Sequence, residues 1–156
     1  MYIYPDLSLQ EMILALEVDA TLFPAGMTLR LYTNDLTPTR TTVKADLTEL
    51  TNVEVPGYAA TTPAWAGAPL RKQDGSWEDW TDQNAFVAAG GPPPAPQIVY
   101  GWFLANAAGT VLAAAGRLAS PFTFVQDGDG LSLKARINVN QTAGETVDVV
   151  TDMTVE

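Results

Sequence analysis

The sequence predicts a mostly β protein, a single antiparallel β-sandwich or barrel, and three observations predict it. Apolar and polar side chains alternate over several stretches, most cleanly where Leu131, Leu133, Ala135, Ile137 and Val139 interleave with Ser132, Lys134, Arg136, Asn138 and Asn140. Turn residues separate these stretches at spacings of roughly ten residues, the pattern of sandwiches and barrels. The chain has 156 residues, 47% of them apolar and 17% charged, which suffices for one core and leaves no length for a second, so residues 1–156 are read as one domain.

The N-terminal arm, residues 1–26, begins with the apolar and aromatic Tyr2, Ile3 and Tyr4 and then meets Ser8, followed three positions later by Glu11, a capping-box pattern. Leu9, Met12, Ile13 and Leu16 repeat at the spacing of one helical face, predicting a short helix over residues 9–18 that Pro24 and Gly26 bring to a close. From Met27 the period becomes two: Met27, Leu29 and Leu31 alternate with Thr28, Arg30 and Tyr32, which predicts a strand. Asn34, Asp35 and Pro38 are turn chemistry, Asp46 with Glu49 fits the cap of a single helical turn, and Pro56-Gly57 breaks the chain before a short extended piece from Tyr58.

Residues 63–96 lack regular periodicity and hold three of the four tryptophans, Trp65, Trp77 and Trp80, followed by Gly90-Gly91-Pro92-Pro93-Pro94-Ala95-Pro96. They predict an irregular, insertion-like excursion from the core, in which the proline run is a stiff connector because proline donates no ladder hydrogen bond. Next comes the strongest β signal, with Ile98, Tyr100, Trp102 and Leu104 alternating against Val99, Gly101 and Phe103. Both sets are largely apolar, so this strand is expected to be covered on both faces. After a turn at residues 106–109, residues 111–118 return and a next strand points Phe122 and Phe124 to one face; turns at residues 127–130 and 142–145 then bracket the alternating run from Leu131 and precede a last strand from Thr146 to Val155.

Composition narrows the function. Cysteine and histidine are both absent, which removes thiolate nucleophiles, imidazole bases and the usual ligands of zinc, iron and copper. The four serines lack a histidine partner, and no glycine-rich phosphate loop of the Walker type occurs. A net charge of −10 repels a phosphate backbone, so nucleic acid is not an expected partner. No apolar run is long enough for a membrane helix and the N-terminus lacks the order of a secretory signal, so the expected protein is soluble and not exported.

Two acidic groupings invite a chemical reading. Asp127-Gly128-Asp129-Gly130 suggests calcium, but the position of a third ligand holds Leu131, which the following strand needs, so a hairpin turn is the expectation. Glu78, Asp79 and Asp82 beside Trp77 and Trp80 resemble the lining of a carbohydrate cleft, yet nearness in sequence sets no carboxyl separation, and a solvated acidic loop is the plainer reading. No catalytic residue, cofactor site or metal site is expected. The candidate partner-binding residues are Tyr2, Ile3, Tyr4, Trp65, Trp77 and Trp80, because large aromatics outside a regular core are the residues that interfaces cover. Plugs at the ends of a β core are the alternative use for the tryptophans.

The run Leu29-Arg30-Leu31-Tyr32-Thr33-Asn34-Asp35-Leu36-Thr37-Pro38, with Asp46-Leu47-Thr48-Glu49 and Pro56-Gly57-Tyr58-Ala59, resembles the front of small β-rich virion structural proteins of tailed bacteriophages. Ile98-Val99-Tyr100-Gly101-Trp102-Phe103, the Ala108-Gly109 turn and Gly128-Asp129-Gly130-Leu131 are similar to the same group, whereas residues 65–96 match nothing in it. The resemblance implies a non-enzymatic capsid cement or decoration protein with a jelly-roll-like β-sandwich, made in the host cytoplasm and placed on the capsid surface. Its implied partners are itself, as a homo-oligomer and specifically a trimer, and the major capsid protein. The alternative is a tail or fibre module that binds host carbohydrate, through stacked tryptophans, or another tail protein.

Overall fold

A computed structural model describes residues 27–39, 41–64, 70–71, 73, 77–140 and 148–155, with residues 71, 77–80, 135–140 and 148–155 described through their backbone pairing. The expected N-terminal helix lies outside the described residues. The strands are β1 (Met27–Tyr32), β2 (Leu70–Arg71), β3 (Trp77–Trp80), β4 (Asn84–Val87), β5 (Gln97–Asn106), β6 (Leu112–Phe124), β7 (Gly130–Asn140) and β8 (Asp148–Val155). The only helical element among the described residues is a 3-10 turn at Lys44–Asp46. All strand pairing is antiparallel, in a three-stranded sheet ordered β1-β5-β6 and a five-stranded sheet built on β7, and neither sheet closes into a barrel.

The two sheets share one core. Met27, Leu29 and Leu31 of β1, Val99, Trp102 and Leu104 of β5, and Leu118 and Phe124 of β6 pack in one cluster with Phe86 of β4 and Leu131 and Leu133 of β7. Tyr58 stacks on Phe86 within it, ring centroids 5.8 Å apart. The opposite face of the first sheet carries a second cluster of Tyr32, Phe103 and Ala105, covered by Leu47 and, at its margin, by Leu36, Tyr100, Leu112 and Ala115. β5 is therefore buried on both faces, as its two apolar sets require.

The division between those sets differs from strict alternation. Between Val99 and Gly101 the β5–β6 register jumps, from Val99 opposite Phe122 to Gly101 opposite Arg117, so residues 118–121 of β6 bulge past a single β5 residue. A bulge re-aims the side chains beyond it. Val99 consequently joins Trp102 and Leu104, while Tyr100 sits with Phe103 on the other face and Ile98 is exposed. Pro121, within the bulged stretch, occupies an edge strand, where its missing N–H is tolerated.

Two glycines leave room for aromatic rings close against this sheet. A Cβ at Gly116 would come within 2.6 Å of the Trp102 indole, and one at Gly101 would strike the Tyr32 ring and the Gly116 carbonyl. Trp102 and Tyr32 are among the largest fully buried side chains, and each occupies the space that a glycine leaves open.

The outer edge of β1 is sealed by residues 48–61. Leu29 exchanges backbone hydrogen bonds with Thr61 (2.7 and 3.0 Å), the Leu31 carbonyl accepts from the Leu50 N–H (3.0 Å), and the Thr33 N–H donates to Thr48 (2.8 Å). The remaining Leu31 N–H donates to the Tyr58 hydroxyl at 3.0 Å, so a phenol takes the place of a neighbouring strand's carbonyl. Burial pushes the Tyr58 hydroxyl pKa up to about 12, against the smaller opposing effect of that backbone N–H. Arg30, on the same strand, donates to the Thr28 hydroxyl, to Glu49 (2.6 Å) and to the Ala107 carbonyl (2.7 Å), tying β1 to its covering segment and to the β5–β6 turn.

Two expectations are corrected here. Asp46 does not open a helical turn with Glu49; it closes the 3-10 turn, its carboxylate accepting from the Val43 N–H at 2.9 Å, while Glu49 pairs with Arg30 and Lys44. Residues 63–96, expected to be irregular, supply β2, β3 and β4 among the described residues, and Phe86 and Ala88 are buried in the core. β3 and β4 both pair with β7 in registers one residue apart, so they read as two pieces of one partner interrupted at residues 81–83. The interruption explains why no periodicity showed: each piece is too short to establish a period by itself.

Candidate functional site

Three loops meet at the end of the molecule where β5 begins. Residues 51–57 form a turn, residues 88–96 connect β4 to β5, and residues 125–129 connect β6 to β7. Their backbones are joined directly. The Ala89 N–H donates to Pro56 (2.8 Å), the Ala88 N–H to Asp129 (2.8 Å) and the Gly128 N–H to Ala88 (2.8 Å). A fourth bond, from the Gly91 N–H to the Asp127 carboxylate at 3.0 Å, fastens the proline-rich connector to the 125–130 turn.

Each loop is also held by its own side chains. In residues 51–57 the Glu54 carboxylate accepts from the N–H and hydroxyl of Thr51 (both 2.8 Å), and the Asn52 side chain accepts from the Gly57 N–H (2.8 Å). Gly57 has φ +86° and a Cβ there would meet the Ala89 backbone at 2.8 Å, so conformation and close approach both require glycine. In residues 125–130 the Asp129 carboxylate accepts from the Val125 and Gln126 N–H groups at 2.6 and 2.9 Å. Those two bonds hold its pKa below the usual carboxylate range. The prolines restrict the third loop, and Pro93 is buried beneath it.

The side chains left outward are apolar. Val53 is 81% exposed and Val125 54%, and Val87 and Ile98, flanking the connector, are exposed as well. Ala89, Pro92, Pro94, Ala95 and Pro96 extend this surface. The three segments contain the carboxylates Glu54, Asp127 and Asp129 and no lysine or arginine. The outcome is an acidic, apolar surface on loops that hydrogen bonds tie to one another.

The residues singled out from sequence fall elsewhere. Tyr2, Ile3, Tyr4 and Trp65 lie outside the described residues. Trp77 and Trp80 are the first and last residues of β3, with backbones opposite Val139 and Arg136; they belong to a strand and not to a loop. Glu78 and Asp79 lie between them on the same strand, and Asp82 follows in the interruption before β4. Trp102, the fourth tryptophan, is buried in the shared core. Sequence reasoning did mark Pro56-Gly57, the proline run and Asp127–Gly130, each as a local chain feature; their meeting depends on hydrogen bonds between residues more than thirty positions apart, for which a single sequence carries no signal.

The carboxylates of residues 127–130 accept hydrogen bonds from backbone amides, which is the turn role expected of them. Among the described residues no group of three or more His, Cys, Asp or Glu is placed to hold a metal ion, and no helix is long and apolar enough to cross a membrane. The chain matches no protein-family model, no curated protein and no solved structure.

Proposed function

We propose that this protein is a non-enzymatic structural component of a virion, a capsid cement or decoration protein that binds the major capsid protein and lowers the free energy of the assembled shell by covering apolar surface. On this reading the body is a jelly-roll-like β-sandwich, self-associates as a trimer, is made in the host cytoplasm and sits on the capsid surface. The observation that carries the reading is the three-loop end, where the loops are cross-tied by hydrogen bonds and apolar side chains still face outward. Such a surface suits association better than chemistry, because it offers contact area with little backbone left to order on binding. The resemblance to phage virion proteins supports the same direction. Its motifs coincide with β1, its covering segment and β5, which are structural positions.

Co-sedimentation with coat-protein shells lacking this chain, together with light scattering of the purified protein, tests the proposal. Saturable capture and a self-associated species are expected. A monomer at every accessible concentration that shells fail to capture would end it. A glycan array covers the tail or fibre alternative, for which saturable glycan binding lost on Trp77→Ala or Trp80→Ala is the required result.

A further inference from the structure

We infer that the three-loop end is the docking face itself, and that its occupant is a protein surface with an apolar patch rimmed by lysine or arginine, not a second copy of this chain. Naming that occupant as coat protein rests on the reading above; the surface chemistry does not.

Shape and rigidity come first. Val53 and Val125, on loops cross-tied by four hydrogen bonds of 2.8 to 3.0 Å, and Val87 and Ile98, on the strand ends that flank them, are exposed at one end of the molecule. Apolar groups fixed in place before contact lose little conformational freedom on binding, so their burial translates into affinity with a small ordering cost. Val53 is the extreme case, since its exposed side chain stands on a turn pinned through Glu54, Asn52 and Gly57.

Charge then selects the occupant. Residues 51–57, 87–98 and 125–130 carry Glu54, Asp127 and Asp129 without one cation, and the whole chain carries −10. Asp127 and Asp129 are held by backbone N–H groups, which accompany these carboxylates without neutralising them. A second copy meeting this end with its own would set like charges together with no cation in either surface, and like-charge juxtaposition at an interface is costly. A basic rim instead completes the unpaired charges around the apolar centre and speeds encounter over about a Debye length.

Two measurements on the full chain test this. In the first, capture by coat-protein shells is compared for Val53→Asp, Val125→Asp and, at the far end of β5, Val111→Asp. Loss of at least tenfold in affinity is expected for the first two and less than twofold for the third, with Glu54→Gln/Asp127→Asn weakening capture and flattening its salt dependence. Wild-type capture by both end variants, with folding confirmed by circular dichroism, overturns the inference and leaves the cement reading standing. In the second, amide shifts of the labelled protein are followed while a Leu/Lys peptide or a Leu/Glu peptide is added. Shifts within the three loops with the Lys peptide alone are expected. If shells fail to capture the wild type, the cement reading falls and this titration decides the inference. Shifts elsewhere, none at all, or shifts in the loops on concentrating the protein by itself overturn it, the last by making the occupant a second copy.

Discussion

The sealed edge of β1 and the three-loop end share a segment, residues 48–61, and use it in opposite ways. Along β1 the segment supplies hydrogen bonds to the strand and also sends Leu50, Val55 and Tyr58 inward, where each is buried. At the three-loop end the same segment again satisfies backbone groups, through Pro56 and Gly57, but leaves Val53 outside. Backbone satisfaction and apolar burial are therefore separable. Where both are achieved the region is structural, and where only the first is achieved the region is stable yet still has apolar area for a partner to cover.

Substitutions should separate the two regions by size of effect. The largest is expected in the shared core behind β1, where Trp102→Ala removes a fully buried indole seated over Gly116. A loss of about 3–5 kcal/mol is expected, read as a lowered urea midpoint with thermal unfolding to match. Equal stability in that variant would break the claim that the β1 side is structural.

Tyr58→Phe is expected to cost about 1–3 kcal/mol, because it keeps the stacking on Phe86 but leaves the buried Leu31 N–H without its acceptor. The same hydroxyl makes stability fall at high pH. Its pKa is 10.0 when unperturbed and about 12 in the folded protein, so the folded state holds the proton more tightly. The contribution is fully present below pH 10 and is lost as pH rises through 12, and it corresponds to about 3 kcal/mol at most. Denaturant titrations between pH 9 and pH 12 should show the wild type losing more stability than Tyr58→Phe; parallel curves would remove the phenol from the β1 edge.

Smaller effects belong to the three-loop end. Asp129 has a lowered pKa, so its contribution is present above the unperturbed value of 3.8 and is lost as pH falls through the lower folded value. Asp129→Asn should mimic that loss, with faster amide exchange at Val125 and Gln126 and little change in global unfolding. Val53→Ser should be nearly neutral, within about 0.5 kcal/mol, as exposed substitutions usually are. A clearly destabilised Val53→Ser protein would mean that this end is packed internally and would blur the contrast with β1.

Much of the β architecture is legible in the residues. β1 spans the alternating run that begins at Met27, β5 is covered on both faces as its apolar sets demand, and Asp127–Gly130 turns between β6 and β7. Less legible were β3 and β4, whose four-residue lengths are too short to reveal a period and whose pairing is supplied by β7. The face assignment of Val99 was hidden for a related reason: the bulge that flips it comes from residues 118–121 of the neighbouring strand.

By itself, then, the amino-acid sequence determined that this chain forms antiparallel β structure, that histidine and cysteine chemistry is closed to it, and that it carries a strong negative charge. Those properties follow from local periodicity and from composition, which act residue by residue. Only the tertiary structure decided that a tyrosine hydroxyl would complete a strand edge, and that three separate turns would join into one apolar, acidic end. Both depend on contacts between residues far apart in the chain, whose meeting is set by how the sheets pack and not by any neighbour in sequence.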